Sequence, residues 1–421
     1  MQENKLNVSR TLFLSFGFFA SSIAWSVYNS FVPQILDKYI DQFLVLFPPE
    51  FFKRTALIGF IMTFDNIFGV IFQPLFGRLS DKTRTRFGRR MPYIFIGLPI
   101  CAAAFTLIPR MDNAWSLIIV LVIFTFVMSA WRSPVVALMP DITPGPLRSQ
   151  ANGIVNFLGG VGSLIAFFVG GILFKVGGFQ LPFMMSAIMM LLALAVLAIF
   201  VREPKQAYEP GQTVQRESES SAEKSSLKNI RLSKDEKKSL FLILFGVFFW
   251  FTGYNAVETF FTLYATNTLG MDAGDASMTL SIFSLTFLGF AVPAGFLGAK
   301  TGRRRAILIG LTGLVVLFVP MIFIANVWLT RACLFLGGFF WAFVNINSLP
   351  MVVRLSGEDK IGAFVGYYYF FSFSSQIISP VLFGFIRDMT GSYMVLFLYS
   401  SIAFALAAFS LFFVRHGEDA N

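Results

Sequence analysis

The sequence predicts an all-α integral membrane protein with twelve transmembrane helices in two pseudo-symmetric bundles of six. Three observations predict this fold. Of the 421 residues, 56% are hydrophobic and 13% are charged, far from the roughly 25% charged residues of soluble domains. Apolar runs of about 20 residues, long enough to cross a hydrocarbon core of roughly 30 Å, recur twelve times. One long polar segment separates six of these runs from the other six.

The first six spans form the N-terminal bundle, residues 1–201. The spans of both bundles are expected, in order, near 11–36, 55–77, 92–109, 114–139, 150–174, 181–201, 239–266, 275–299, 306–324, 328–351, 362–385 and 393–414. Residues 202–238 are rich in Ser, Glu and Lys and cannot bury an apolar core, so they are predicted to form a flexible cytoplasmic linker. Residues 239–421 then form the C-terminal bundle with a short cytoplasmic tail.

A basic turn recurs between the second and third spans of each bundle. It reads GRLSDKTRTRFGRR over Gly77–Arg90 and GFLGAKTGRRR over Gly295–Arg305. The first glycines are 218 residues apart (295 − 77), whereas Gly88 and Gly302 are 214 apart (302 − 88), so the first copy carries a four-residue insertion. The turns indicate an internal repeat. Two related six-helix halves are typical of transporters that work by alternating access.

The distribution of basic residues predicts the orientation. With both termini in the cytoplasm, the cytoplasmic segments hold 25 Lys and Arg, the outer loops hold 7, and Arg132 lies in a span. Basic residues near span ends are retained on the cytoplasmic side. The net charge of +10 therefore indicates orientation and attraction to anionic membrane lipids, and no nucleic-acid partner is expected. The predicted location is the cell membrane.

The sequence shows no pattern expected of an enzyme. Cys101 and Cys333 lie in apolar spans at non-equivalent positions, which predicts two buried free thiols and no disulfide. No metal-ligand spacing, no Ser/His or Cys/His arrangement and no soluble catalytic domain is visible. We therefore expect no cofactor, no metal and no catalytic residue.

Three ionisable side chains lie well inside the apolar spans, each at a cost of about 2.5–3.5 kcal/mol on insertion scales. Asp65 either binds the coupling cation or forms a structural ion pair with Arg132. Glu258 is either a second coupling carboxylate or a hydrated acid near the outer mouth. Arg132 clamps a substrate hydroxyl, holds Asp65 charged or pairs with Asp141. These alternatives stay open at the level of sequence.

Aromatic, amide and basic side chains inside the spans are the candidate substrate-binding residues. Tyr-Asn recurs in the first span of each bundle, with a third polar or aromatic residue on the same helical face. The alternative is that the amides pack helices together and the aromatic side chains pack in the interior. The candidates are Trp25, Tyr28, Asn29, Arg132, Asn152, Asn156, Tyr254, Asn255, Trp341, Asn345, Asn347 and Gln376.

The basic turn of the first bundle is a candidate cytoplasmic gate. An acid adds nothing to the retention of the loop in the cytoplasm, so Asp81 favours a conformational latch over a purely topological role. The second copy carries Ala299 at that position, which makes any latch asymmetric. The candidate gate residues are Gly77, Asp81, Gly88, Arg89, Arg90 and Asp141.

These motifs carry a family resemblance across all twelve spans. The turn resembles the helix 2–3 signature of the major facilitator superfamily. Its inserted form, SDKTRTRFGRRMPYI, is similar to that of sucrose/proton symporters and of the related glycoside–pentoside–hexuronide cation symporters; ALMPDITPGPLRSQANGI and WSVYNSFVP add to the likeness. The resemblance implies the major facilitator fold and proton-coupled uptake of a sugar or glycoside, with a disaccharide such as sucrose or another α-glucoside favoured, by a protein functional as a monomer.

The resemblance also assigns the coupling residue. Asp65 aligns with an acid of helix 2 that couples cations in glycoside symporters, and the second acid of that motif is replaced by Gly69. A Na⁺ site needs several oxygens whereas a proton needs one carboxylate, so H⁺ is favoured over Na⁺. The alternatives are a Na⁺-coupled glycoside symporter and a proton-antiport exporter of amphipathic drugs or other small molecules.

Overall fold

The protein is described by a computed structural model covering residues 6–45, 53–144, 147–203, 233–355 and 361–414. Over these ranges it contains thirteen α-helices and a short 3-10 turn. The helices are α1 (Val8–Leu44), α2 (Arg54–Met62), α3 (Phe64–Lys82), α4 (Met91–Leu107), α5 (Ala114–Ile142), α6 (Arg148–Gly177), α7 (Gln180–Phe200), α8 (Lys234–Leu269), α9 (Ala273–Thr301), α10 (Arg303–Met321), α11 (Val327–Arg354), α12 (Ile361–Thr390) and α13 (Val395–Phe412).

Twelve membrane-spanning segments result, because α2 and α3 together form the second span. The all-α fold with twelve spans is therefore confirmed over the described part of the chain. Residues 204–232 of the expected linker and residues 415–421 of the expected tail lie outside the described residues.

Polar side chains at the ends of the apolar runs begin several spans. Asn7, Asn113 and Asn326 each accept backbone N–H bonds from the first turn of α1, α5 and α11. Ser233 and Glu236 form a capping box at the start of α8. These caps satisfy N–H groups that a helix leaves without partners. They also explain why α8 begins before its apolar run.

The second span is interrupted at Thr63. Helix α2 ends at Met62 and α3 begins at Phe64, while the Thr63 hydroxyl donates to the Phe60 carbonyl at 2.7 Å. Threonine side chains that bond to the backbone in this way compete with regular helix geometry. The interruption places Asp65 in the first turn of a new helix inside the span.

The chain forms two compact units. Unit 1 comprises Met1–Gln212 with Met271–Ser281, and unit 2 comprises Thr213–Gly270 with Ile282–Asn421. In unit 1, α1 packs along α6 and α7, and α5 packs on α3 and α4; in unit 2, α8 packs on α12 and α13, and α10 packs on α11 and α13. The division into an N-terminal and a C-terminal bundle at the linker stays a prediction.

The start of α9 packs within unit 1 through small side chains. The Ser277 hydroxyl donates to the Phe167 carbonyl at 3.0 Å, and Lys175 pairs with Asp275 at 2.6 Å. Between these contacts, a Cβ atom added to Gly171 would lie 2.5 Å from the Gly274 carbonyl oxygen. Small residues allow helices in membranes to approach this closely.

Candidate functional site

In unit 1, the ends of α3 and α5 and the start of α4 meet around Arg90, whose side chain is only 2% exposed. Its guanidinium pairs with Asp81 at the end of α3 and, through Nε, with Asp141 Oδ2 at 3.0 Å. It also donates to the Ser80 hydroxyl and to the Gly77 carbonyl, at 2.5 and 3.2 Å. A buried arginine is tolerated because these acceptors replace the hydrogen bonds to water that burial removes.

Asp141 joins two arginines, because its second oxygen pairs with Arg89 at 2.6 Å. We call Ser80, Asp81, Arg89, Arg90 and Asp141 the arginine cluster. The cluster connects the end of α3, the start of α4 and the end of α5. The structure thus brings together the residues predicted for the cytoplasmic gate, with Gly77 and Gly88 beside them, while the gating role itself stays a prediction.

The second copy of the basic turn makes different contacts. Arg304 at the start of α10 donates to the carbonyls of Leu411 and Phe412, at 2.9 and 2.6 Å. These carbonyls lie at the end of α13, where a cation interacts favourably with the helix dipole. The repeated turn therefore makes different contacts in the two halves, as Ala299 in place of an acid leads one to expect.

Asp65, the predicted coupling residue, is half-buried at the interruption of the second span. One of its oxygens, Oδ1, accepts from the backbone N–H and from the side-chain amide of Asn66, at 2.6 and 2.7 Å. The partial positive charge at the N-terminus of α3 also favours an anion at this position. A carboxylate is therefore held in place within the span by its own helix.

Tyr28 lies near this acid and packs against Trp25. The Tyr28 ring stacks on Phe124 at 5.6 Å between ring centroids, and Trp25 meets Tyr28 edge to face at 5.5 Å. The Tyr28 side chain is fully buried. Tyr28 is therefore part of the interior of unit 1, whereas Trp25 and Asn29 are half-buried.

Glu258 has a comparable aromatic neighbour in unit 2. It lies half-buried on α8, one helical turn after Tyr254 and on the same face. The Tyr254 ring is stacked on Trp341, with centroids 4.5 Å apart and planes 6° apart. Stacked rings of this kind hold their side chains rigidly. Asp65 in unit 1 and Glu258 in unit 2 therefore each lie near a packed tyrosine.

Two of the predicted binding amides are engaged in helix packing. Asn347 is 2% exposed, and its amide donates to the carbonyls of Ala294 and Phe343 at 3.1 and 3.0 Å. Asn255 is 7% exposed and donates to the Ser375 hydroxyl at 3.4 Å. Both contacts favour the alternative that these amides hold helices together.

The remaining predicted binding residues are more accessible. Asn152 and Asn156 are exposed on α6, one helical turn apart. Arg132, Asn345 and Gln376 are half-buried on α5, α11 and α12. Polar amides exposed along a membrane-spanning helix either face lipid at a cost or line a polar cavity.

Glu203 contacts the start of α4 and was not predicted from the sequence. It lies just beyond the end of α7, and its carboxylate accepts backbone N–H bonds at the start of α4. The only sequence signal is an acid directly after an apolar span, in VREPK, beside the start of the polar linker.

Comparison with known proteins places the chain among transporters. The sequence profile described as Major Facilitator Superfamily matches residues 14–277 and again residues 243–421. The chain is 24% identical over 383 residues to the Tetracycline resistance protein, class H, of Pasteurella multocida. That alignment covers 86% of this chain and 89% of the relative. It is 24% identical over 304 residues to the Isoprimeverose transporter of Lactiplantibacillus pentosus, over 67% of this chain and 60% of that protein.

A solved structure supports the fold alone. The crystal structure of an auto-inhibited peptide transporter of the POT family superposes with a TM-score of 0.71 at 15% sequence identity. The match covers 97% of each chain.

Proposed function

Because the chain belongs to the Major Facilitator Superfamily, and is therefore a secondary transporter and not an enzyme, we propose that it takes up a sugar or glycoside together with a proton. The observation that carries this proposal is the pair of exposed amides, Asn152 and Asn156, on one face of α6. Each amide offers two donors and one acceptor, a combination that matches the hydroxyl groups of a sugar. In alternating access, such a face is presented to each side of the membrane in turn.

The coupling ion is proposed to bind at Asp65. Its Oδ1 accepts two hydrogen bonds from Asn66, which hold the carboxylate in place within the span. Gly69 supplies no oxygen one turn later, which supports a proton over Na⁺. Glu258 is the second candidate for a coupling carboxylate.

The substrate-binding residues of the proposal are the accessible ones. Arg132, Asn345 and Gln376 are half-buried and polar, as are Trp25 and Asn29. Tyr28 packs against Trp25, and Tyr254 stacks on Trp341. Asn255 and Asn347 instead hold neighbouring helices together. A relative named an isoprimeverose transporter supports the choice of a glycoside.

A second candidate function is proton-antiport export of amphipathic drugs or other small molecules. A specific observation favours it: the relative matched over 86% of this chain is named a tetracycline resistance protein. The 54 phenylalanines of the chain are compatible with a cavity for such molecules.

We also propose a membrane location, an orientation and an oligomeric state for the transporter. We place the chain in the cell membrane with both termini in the cytoplasm, and we propose that it works as a monomer. The excess of basic residues in the cytoplasmic segments supports this orientation. Lipids and the solute are its proposed partners.

Counterflow in proteoliposomes tests the substrate class without any ion gradient. Vesicles loaded with unlabelled sucrose, methyl α-glucoside or tetracycline are diluted into a trace of the labelled compound. We expect transient accumulation of a labelled glucoside and none of tetracycline. Accumulation of tetracycline alone would replace the sugar proposal with the drug exporter.

A further inference from the structure

The start of α4 is held by a carboxylate from a distant part of the chain. Glu203 Oε2 accepts from the Arg89 N–H at 2.8 Å, and Oε1 accepts from the N–H groups of Arg90 and Met91 at 2.7 and 3.0 Å. The first N–H groups of a helix have no partners within it. More than one hundred residues separate Glu203 from its partners, so this contact ties the end of α7 to the start of α4.

The turn before α4 leaves room for that carboxylate. Gly88 has a φ of 115°, a conformation that residues with a Cβ atom rarely adopt. A Cβ atom at this position would also lie 2.5 Å from the Glu203 carboxylate carbon. Glycine is therefore needed both for the backbone conformation and for the space that Glu203 occupies.

The charges around this helix start explain why an acid is required. Arg89 and Arg90 lie where the α4 dipole is positive, an unfavourable place for a cation. Glu203 neutralises the helix start directly, through three charge-assisted hydrogen bonds. The two guanidinium groups remain directed at Asp141, with Arg90 also bound to Asp81.

We propose that Glu203 is a positioning residue for the arginine cluster, holding the start of α4 so that Arg89 and Arg90 meet Asp81 and Asp141. Its loss releases the turn, disorganises the cluster and slows the conformational cycle. Only this last consequence rests on the proposed transport function.

Hydrogen exchange tests the positioning role without a substrate. In the purified full-length protein, Glu203→Ala should accelerate amide exchange in the peptide covering residues 85–95 by at least about tenfold, the size expected when charge-assisted hydrogen bonds are lost. Glu203→Gln should show a smaller effect. The matched control is Glu236→Ala, which removes another helix-capping glutamate, at the start of α8. Unchanged exchange at 85–95 in Glu203→Ala would overturn the proposal.

Transport with chemical rescue tests the functional consequence. In proteoliposomes, Glu203→Ala should lower kcat for a glucoside about tenfold with little change in KM, because the altered site lies away from the proposed substrate residues. Sodium formate should restore part of the rate in Glu203→Ala, by supplying a small carboxylate to the vacated N–H groups, and should not affect Glu236→Ala. A loss of rate that formate does not restore, with wild-type exchange at 85–95, would also overturn the proposal.

The two experiments separate this inference from the proposed function. Wild-type protein that transports no glucoside would contradict the sugar proposal, while hydrogen exchange would still decide the role of Glu203. The double variant Gly88→Ala/Glu203→Ala provides a further check. Its loss of stability should be smaller than the summed losses of the two single variants, because the Cβ atom added to Gly88 no longer clashes with the Glu203 carboxylate. Full additivity would count against the contact.

Discussion

At the scale of single residues, Arg90 shows what a buried charge needs in this protein. Its guanidinium has two carboxylates, a hydroxyl and a carbonyl as acceptors, which come from two helices, α3 and α5. The sequence indicated that the basic turn and Asp141 act together. It did not indicate that Asp141 serves two arginines, because that depends on how α5 ends beside α4.

Replacing Arg90 by lysine tests this geometry. A single ammonium group cannot reach both carboxylates, the hydroxyl and the carbonyl, so Arg90→Lys should lower the stability of the protein by about 1–3 kcal/mol. Thermal unfolding in detergent measures the change. The control, Arg86→Lys, alters an exposed arginine of the same turn and should have little effect. Equal stability of the two variants would show that the geometry of the Arg90 guanidinium is not needed for stability.

Asp65→Asn tests coupling at the residue scale. The amide keeps the size of the side chain but cannot carry a proton, so uphill accumulation should disappear while counterflow of the solute persists. The matched control is Asp112→Asn, in an exposed loop, which should leave accumulation intact. Gradient-driven accumulation at the wild-type level in Asp65→Asn would show that Asp65 has a structural role.

At the scale of helices, the sequence predicted the spans well and their irregularities poorly. Each span can be located from a run of about 20 apolar residues, because the thickness of the bilayer sets the length of that run. The interruption at Thr63 was not predicted, since one hydroxyl bonded to the Phe60 carbonyl leaves no trace in hydropathy. It nevertheless decides the surroundings of Asp65, which lies at a helix N-terminus and not in the middle of an unbroken helix.

Close helix packing leads to a prediction for α9. A Cβ atom on Gly298 would overlap Asn347 Oδ1, so Gly298→Ala must displace the amide that joins α9 to α11. The expected destabilisation is about 1–3 kcal/mol, measured by thermal unfolding in detergent. Gly289→Ala on the same helix is the matched control, because nothing lies within 4 Å of its added Cβ. Similar stability in both variants would contradict the packing role of Asn347.

At the scale of the whole molecule, charge is the property that predicts orientation. The cytoplasmic segments hold 25 of the 33 basic residues if both termini are in the cytoplasm. The two described cysteines, Cys101 and Cys333, are buried, so cysteines introduced at the surface can be labelled selectively.

Cysteine labelling tests that orientation. Asp112→Cys should react with a membrane-impermeant maleimide in intact cells, whereas Lys237→Cys should react only after permeabilisation. Both positions are exposed, so the difference reports the side of the membrane. The reverse pattern would invert the predicted topology.

The whole fold was more predictable from sequence than the site. The apolar runs predict the twelve spans, because their length matches the thickness of the bilayer. The repeated turn predicts that the two halves are related. Individual roles within the spans depend on neighbours from other helices. Asn347 and Asn156 look alike in sequence, but one is bonded to two carbonyls and the other is exposed.

The most direct test of proton-coupled sugar uptake is accumulation of a radiolabelled α-glucoside in proteoliposomes carrying an inward proton gradient. We expect the glucoside to accumulate above equilibrium. This accumulation should collapse when a protonophore is added, and a Na⁺ gradient alone should not support it. Accumulation driven by Na⁺ alone, or no glucoside accumulation under a proton gradient that is shown to be intact, would contradict it.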